Sequence, residues 1–495
     1  MASIVHARVR RSFYLDSVAL MRLAETVGAR PGVEAASLMI GTESNRKLLD
    51  EAGLLAEAAR DAGPDDLIMA VRATSAAEAD ATLDAAERLI DQPRSKAAAS
   101  AWRPRSLAAA VELLADANLA LISVPGEFAA AEARAALKRG LNVMMFSDNV
   151  PIADEIALKQ LARDKGLLMM GPDCGTALIS GAPLGFANAV PSGSIGLVAA
   201  SGTGLQEVAC LIARGGGGLS HALGTGGRDL GEAVGGMATL AAIDALDADP
   251  VTRAIVLVSK PPAAAVARAV MERLGRSAKP AIVCCLGAPA LPVPANVRQA
   301  QTLRDAAALA LGQETPQPLD LPRGKPRGAL VGLFAGGTLC AEAQLVLLQA
   351  GLSVASNAPA PGAHALDAAR AGDHRMIDLG ADEYTRGRPH PMMEPAVRDA
   401  ALRDALADPA VAAVLLDLVL GYGAHTDPAG AVTRVLAERP SGKPVVASVC
   451  GTDADPQNRA VQVARLEAAG VRVAPSNAEA TALALTLAQS RPPPA

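Results

Sequence analysis

Short apolar runs alternate with amphipathic stretches along most of this chain, and the pattern changes character twice. Residues 4–10, 33–40 and 67–71 are apolar runs of strand length, while 17–27 and 76–90 carry helical spacing. The order strand–helix–strand–strand–helix predicts a small α+β unit over 1–92, with a ferredoxin-like arrangement as its expected form. Pro93 and Pro104 mark a linker after it.

From Leu107 the pattern becomes regular β/α alternation. Strands are expected at 120–124, 142–146 and 167–170, with helices ending at 139 and 165. Short, continuously apolar strands separated by helices indicate a parallel sheet covered on both faces, here a Rossmann-type unit over 105–192. Ligands of such sheets sit at the carboxyl ends of the strands. Those ends carry Pro125-Gly126, then Ser147-Asp148-Asn149, then Gly171-Pro172-Asp173. Asp148, Asn149, Gly171, Pro172 and Asp173 are therefore the expected cofactor-binding positions.

The third region repeats itself. A strand runs into Ser201-Gly202-Thr203-Gly204 and a helix, and another runs into Gly336-Gly337-Thr338 and a helix. Asp249-Pro250 and Asp408-Pro409 each precede an apolar strand, and Lys279-Pro280 and Lys443-Pro444 each precede the next. Four landmarks in the same order predict two homologous flavodoxin-like domains, 193–312 and 328–487, joined by a Pro-rich linker at 313–327. The expected class is α/β throughout, with the small α+β domain in front.

A strand, a Gly-rich turn and a helix point free backbone N–H groups at an anion, and the helix dipole favours negative charge. Ser201, Gly202, Thr203 and Gly204, with Gly336, Gly337 and Thr338, are candidate phosphate cradles; tight packing is the alternative role for these glycines. Neither turn is a P-loop, because no Gly-Lys-Ser/Thr follows.

Composition narrows the partners. Aromatic residues are 2% of the chain and the net charge is −5, so stacking platforms and basic stripes for nucleic acid are lacking. No apolar run reaches membrane-spanning length and the first residues lack the apolar stretch of a signal peptide. Six scattered cysteines without a CxxC pair suit a reducing cytoplasm and argue against a disulfide framework. The histidines lack ligand spacing, so no metal site is expected.

Several motifs resemble a known family. Gly171-Pro172-Asp173-Cys174, Ser201-Gly202-Thr203 and Gly224-Thr225-Gly226-Gly227-Arg228-Asp229 resemble segments of the succinyl-CoA synthetase α subunit. Ile377-Asp378-Leu379-Gly380 and Cys450-Gly451-Thr452-Asp453 resemble segments of the carboxy-terminal ligase domain of its β subunit. Within that superfamily, residues 141–150, Ser259-Lys260-Pro261-Pro262 and residues 387–392 resemble signatures of the FdrA family. The resemblance covers essentially the whole chain. It adds Gly226, Gly227, Arg228 and Asp229 to the candidate phosphate-binding residues.

The departures from the synthetase pattern bear on chemistry. The synthetases phosphorylate a His in a loop corresponding to residues 286–304, where this chain has none. Ser259-Lys260-Pro261 replaces the Glu that orients that His, and no stretch offers a nucleotide-binding ATP-grasp domain. Nucleophilic phosphotransfer needs a nucleophile. The FdrA resemblance implies instead a subunit of an oxamate carbamoyltransferase in ureide (allantoin) breakdown, working with two companion subunits. Its ligand would be phosphate or carbamoyl phosphate. A CoA-ligase-type enzyme with a separate nucleotide-binding subunit, and a metabolite-binding scaffold, are the alternatives. No cofactor is firmly implied, CoA is left open, and a homo-oligomer is compatible.

Four further residues are candidate catalytic groups. His390 and Arg388 lie in a Pro-flanked insertion of the second repeat, with a rigid surface turn as the alternative. Lys260 and Asp378 follow strands, with a solvated lysine and a helix cap as the ordinary readings. Cys174 is expected to be a packed thiol and His221 a structural histidine.

Overall fold

The structure is a computed structural model that describes residues 3–13, 15, 17–91, 104, 106–289, 292–322, 326–370, 372–385, 389–438 and 441–489. The first unit comprises β1 (Ile4–Arg10), α1 (Ser17–Gly28), β2 (Val33–Ile40), α2 (Glu43–Glu51), β3 (Leu67–Ala73) and α3 (Ala76–Asp91). Its antiparallel sheet has the order β1-β3-β2. The central β3 is buried along almost its whole length, and Leu20, Val27 and Leu83 of the helices cover it. The sequence expectation lacked α2, whose residues are mostly polar and give little periodic signal. Thr42 starts it by accepting the Asn45 N–H at 3.2 Å.

The second unit is α4 (Leu107–Leu113), β4 (Leu119–Ile122), α5 (Gly126–Lys138), β5 (Asn142–Met145), α6 (Ile152–Asp164) and β6 (Met169–Met170). Its three strands are parallel in the order β4-β5-β6. The chain then forms a hairpin, β7 (Thr176–Ile179) and β8 (Ala182–Gly185), that pairs with the following sheet instead. The stretch 105–192, expected as one unit, thus contributes to two sheets.

The first repeat contains β9 (Ser192–Ala199), α7 (Gly202–Arg214), β10 (Leu219–Gly224), α8 (Met237–Ala248), β11 (Ala254–Ser259), α9 (Ala264–Gly275), β12 (Ala281–Cys285), β13 (Val297–Gln299) and α10 (Leu303–Ala310). The second opens with β14 (Ala329–Phe334), α11 (Gly337–Gln349), β15 (Val354–Ser356), β16 (His364–Ala365), β17 (His374–Asp378), α12 (Asp382–Thr385) and α13 (Ala396–Ala407). It ends with β18 (Val411–Val419), α14 (Pro428–Glu438), β19 (Val445–Cys450), α15 (Arg459–Ala468), β20 (Arg472–Ala474) and α16 (Asn477–Gln489).

The two sheets share one topology. Five parallel strands run β10-β9-β11-β12-β13 in one and β17-β14-β18-β19-β20 in the other. This is the flavodoxin-like order, in which the first strand is central and the chain reverses beside it. The second repeat places β15 and β16 outside β17, so β17 takes the position that β10 holds in the first. Asp378, at the tip of β17, thus corresponds in register to Gly224 at the tip of β10. One apolar cluster runs through both repeats and includes Val208, Leu303, Leu339 and Leu485 from α7, α10, α11 and α16. Burying these helices against one another fixes the repeats face to face.

Candidate functional site

The helices α7 and α11 begin beside each other. Ser201 caps α7, accepting the Gly204 N–H at 3.0 Å, and its hydroxyl lies 2.5 Å from the Thr338 hydroxyl in the first turn of α11. On the other side of this contact, a Cβ on Gly336 would stand 3.0 Å from Thr203 Oγ1. The two Gly-rich turns, 137 residues apart, therefore form one junction. Their positive dipole ends converge there.

The two turns are not equivalent. Both carboxylate oxygens of Asp417 are engaged at the second, accepting the Ala335 and Gly336 N–H groups at 2.7 Å each. Asp378 lies against Gly337, where a Cβ would stand 2.5 Å from its Oδ2. A side chain at 337 would have to displace the Asp378 carboxylate. Asp378 also accepts the Gly380 N–H at 3.0 Å. Burial raises its pKa above the ordinary carboxylate range, while the Lys260 charge opposes the rise. Burial lifts Asp417 to about 6, against the two N–H donors and Arg398. The expectation of two like phosphate cradles is corrected: the second already holds a carboxylate of the protein.

Asp417 escaped the sequence reading because it sits within the apolar run of β18, where every neighbour reads as core. That lone carboxylate in a fully buried strand was the available signal, because a buried charge needs dedicated partners.

His390 is half-buried beside this junction, and its Nε2 lies 2.7 Å from where a Gly380 Cβ would stand. Its Nδ1 accepts the Met392 N–H at 3.2 Å, which leaves the proton on Nε2. Burial lowers its pKa to about 4, so the ring is neutral near pH 7. It can donate one hydrogen bond there without carrying charge. Arg388, expected as its companion, lies outside the described residues.

Of the remaining first-repeat candidates, Gly227, Arg228 and Lys260 face a cleft of about 330 Å³ next to the junction. Ala200, Gly227, Arg228, Glu232, Ser259 and Lys260 are among its lining. Lys260 is exposed, and Arg228 is 48% exposed. Arg228 is steadied by Glu155 at 2.8 Å and by the Val150 carbonyl at 2.8 Å.

Asp229, by contrast, is fully buried. It accepts the Ala238 N–H at 3.1 Å and the Thr239 N–H at 2.8 Å, capping α8, and pairs with Lys159 Nζ at 2.8 Å. Lys159 also contacts Glu155 Oε1 at 2.8 Å and the Thr225 carbonyl at 3.1 Å. Asp229 is thus a correction to the phosphate-binding set, since its acceptors are already used. Gly226 has a left-handed φ of 88°, and a Cβ there would collide with the Pro172 carbonyl and stand 3.1 Å from the Gly171 Cα, so the close approach of the two loops suits glycine. Both Lys159 and Glu155 were missed, because on α6 they look like an ordinary exposed i,i+4 pair.

The expected cofactor positions lie at the carboxyl edge of the β4–β6 sheet. Asn149 and Asp173 adopt left-handed backbone at φ 54° and 57°, and Gly171 lies at φ 92°. Asp173, though its surface is exposed, is raised to about 6 by desolvation among the crowded loops and by the nearby charges of Asp148 and Asp382, with Arg228 opposing. Asp148 is raised by burial, also with Asp382 nearby. Asp382 belongs to the second repeat, so its insertion reaches this edge. Cys174 is buried, bonds the Gly224 carbonyl at 3.2 Å and is pushed up to about 12, as suits a packed thiol. The Cys450–Asp453 segment is a docking element: Thr452 Oγ1 donates to the Ala189 carbonyl at 2.6 Å, and Asp455 accepts the Ala189 N–H at 2.7 Å.

Comparison with known proteins places this geometry. A family described as CoA-ligase matches residues 333–487, and one described as AllF, heavy metal-associated domain, matches residues 1–104. That second region contains no cysteine, its one histidine is His6, and Asp80 lies 2.9 Å from that ring. Among the described residues no group of three or more His, Cys, Asp or Glu could hold a metal ion. The residues of 1–104 therefore do not fit a heavy metal.

The chain is 41% identical over 500 residues to the uncharacterized protein YahF of Escherichia coli (strain K12), covering 96% of this chain and 97% of that protein. It is 32% identical over 150 residues to a mitochondrial succinate–CoA ligase [ADP-forming] subunit alpha-2 of Trichomonas vaginalis, covering 29% of this chain and 47% of that subunit. Among solved structures, the dinucleotide-forming acetyl-coenzyme A synthetase 1 of Ca. Korarchaeum cryptofilum, with phosphate and ADP, is 17% identical. That match has a TM-score of 0.32 and covers 75% of this chain and 82% of that one. No helix among the described residues is long and apolar enough to cross a membrane. On the near full-length identity to YahF and the CoA-ligase match, the chain belongs to the FdrA/YahF family of acyl-CoA synthetase-like proteins.

Proposed function

We propose that the junction of the two repeats seats a small anion, and that the chain is the carbamoyl-transferring component of a complex with two companion subunits. The observation that carries this reading is the meeting of Ser201 and Thr338 at two helix N-termini, with Lys260 and Asp378 beside them. In the reaction, a phosphate oxygen forms a bond to the carbamoyl carbon of a donor such as oxalurate. The bond from that carbon to the ureide nitrogen breaks, giving carbamoyl phosphate and oxamate. The proton of the attacking hydrogenphosphate ends on the departing nitrogen.

This chain's residues suit those needs. The N–H groups of the first turn of α7 and the Lys260 ammonium would hold phosphate and oppose charge developing on oxygen. Asp378, with its raised pKa, can take and return the proton; such acid–base help is worth roughly 10²–10⁴-fold. His390, neutral, donates Nε2–H without needing to be phosphorylated.

A second reading is a CoA-ligase-type enzyme with a separate nucleotide-binding subunit, supported by the match over 333–487 and by the succinate–CoA ligase subunits. Those α subunits are about twice the matched length, the chain spanning 47% and 49% of two of them. The carboxyl edge where CoA would lie gathers Asp148, Asp173 and Asp382 around one guanidinium, Arg228. That edge does not fit the phosphates of CoA, so no step passes through it.

The test is calorimetric titration of the chain with phosphate and with CoA, followed by assay of carbamoyl phosphate formation from oxalurate in the reconstituted complex. Phosphate binding without CoA binding, and turnover, are expected. CoA binding with no phosphate site would replace this reading by the second.

A further inference from the structure

We propose, building on the anion seat above, that Asp417 is a specificity-determining residue. Its carboxylate acts as a built-in anion that fills the seat at the start of α11, so that an incoming anion is received on the α7 side alone.

The geometry is that of a bound oxyanion. Successive N–H groups of Ala335 and Gly336 each meet a different oxygen of Asp417 at 2.7 Å, the arrangement by which a strand-to-helix turn holds a phosphate or carboxylate. The carboxylate comes from the adjacent strand β18 and is fully buried, so solvent cannot stand in for it. Its surroundings hold it in place. Arg398, on α13, donates to the Asp417 backbone carbonyl at 2.9 Å. A Cβ on Gly336 would stand 3.1 Å from Asp417 Oδ2 and 3.0 Å from Thr203 Oγ1 of the first repeat. The charged and titratable groups facing it are Arg398, Asp378 and the buried Cys340 thiol.

The equivalent place in the first repeat differs. There Ser201 supplies a hydroxyl to its own helix, and the strand that corresponds to β18, β11, has no acidic residue. The turn into α11 therefore carries its own anion, whereas in the turn into α7 the matching Ala200 N–H donates to the Val258 carbonyl at 3.1 Å. With Asp378 also packed on Gly337, the second repeat sets carboxylate charge beside the junction, and the first offers N–H donors and Lys260. A ligand that fits both sides is anionic toward α7 and carries a hydrogen-bond donor toward α11. A fully ionised oxyanion bridging both helix starts is disfavoured.

Two variants test this in the full chain. Asp417→Ala vacates the seat; its melting temperature should fall, and formate should restore at least half of the loss. Chloride at equal ionic strength should not. If formate and chloride act alike on Asp417→Ala, the built-in anion is not what the turn binds, and the proposal fails. Asp417→Asn keeps the volume and one acceptor but removes the charge. Inorganic phosphate should bind it about tenfold tighter than wild type by calorimetry. A merely structural role would weaken binding, and weaker or unchanged binding overturns the proposal. Rescue by formate in a chain that binds no phosphate would support the built-in anion while sinking the functional reading it builds on.

Discussion

Glu342 Oε1 accepts the backbone N–H of Leu303 at 2.7 Å, so a helix of the second repeat caps the last helix of the first. The contact is reciprocated. Glu207 Oε1 accepts the backbone N–H of Asn477 at 3.4 Å, at the start of the last helix of the second repeat. Each glutamate lies five residues beyond the first glycine of its helix, Gly202 or Gly337. Both are buried, and Asn477 Nδ2 also donates to Glu342 Oε2 at 2.8 Å. The repeats thus exchange caps across their shared core, which fixes the junction of Ser201 and Thr338.

This exchange predicts a pH dependence of stability. Burial raises Glu342 to about 7, from 4.5 for a free glutamate, with Asn477 and Leu303 opposing and Glu207 adding repulsion. A group whose folded value is raised contributes stability that is fully present below its unfolded value and is lost as pH rises through the folded one. Urea unfolding should show stability falling between about pH 5 and 8, and Glu342→Gln should flatten that fall. Glu342→Ala should cost about 1–3 kcal/mol, since it leaves the Leu303 donor buried and unpaired. An unchanged pH profile in Glu342→Gln would remove Glu342 as the cause.

Gly202→Asp should fold and lose phosphate affinity. A Cβ at 202 meets only Thr176 Oγ1, at 3.5 Å, an ordinary contact. A carboxylate in the first turn of α7 would compete for its N–H groups, and half of an order-of-magnitude repulsion of ~4 kcal/mol corresponds to about a thirtyfold loss. Gly337→Ala should instead destabilise the fold, because its Cβ would collide with Asp378. Calorimetry for the first and melting curves for the second separate the two. Wild-type affinity in Gly202→Asp would rule out the α7 turn as the anion seat.

No phosphohistidine should form. The loop 286–304 has no histidine, and the ring lone pair of His390, on Nδ1, is engaged by the Met392 N–H. Incubation with labelled ATP or carbamoyl phosphate, analysed under alkaline conditions that preserve phosphohistidine, should leave the chain unlabelled. Stoichiometric label on any histidine would contradict the proposed direct attack by phosphate.

Lys159→Met should be among the most damaging single changes away from the junction. It would leave Asp229 buried without its cation and Glu155 with Arg228 alone, and breaking a buried pair in this way costs about 3–5 kcal/mol. Adding Asp229→Asn and Glu155→Gln should recover part of the loss. A midpoint in urea within error of wild type for Lys159→Met would show that the network is not needed.

The elements and their order were legible because local periodicity encodes them. The strands 254–258, 281–286 and 445–449 appear within a residue or two of expectation, since fully apolar runs bounded by Asp-Pro and Lys-Pro have one reading. The repeat was legible for the same reason: the turns at Gly202 and Gly337 and the following landmarks recur in one order. The partners of each side chain were not. Asp229 and Asp378 both lie near the carboxyl ends of strands, yet one caps a buried helix and the other faces Lys260.

What the sequence alone determined is the parallel α/β architecture, the two Gly-rich helix starts and the absence of a histidine in the loop 286–304. These are properties of consecutive residues, set by period, turn chemistry and composition. What only the tertiary structure decided is that the two starts meet, that Asp417 occupies one of them, and that Glu207 and Glu342 trade caps. Each of these joins groups far apart in the chain, and the burial that gives them their energy exists only once the two repeats close on one core.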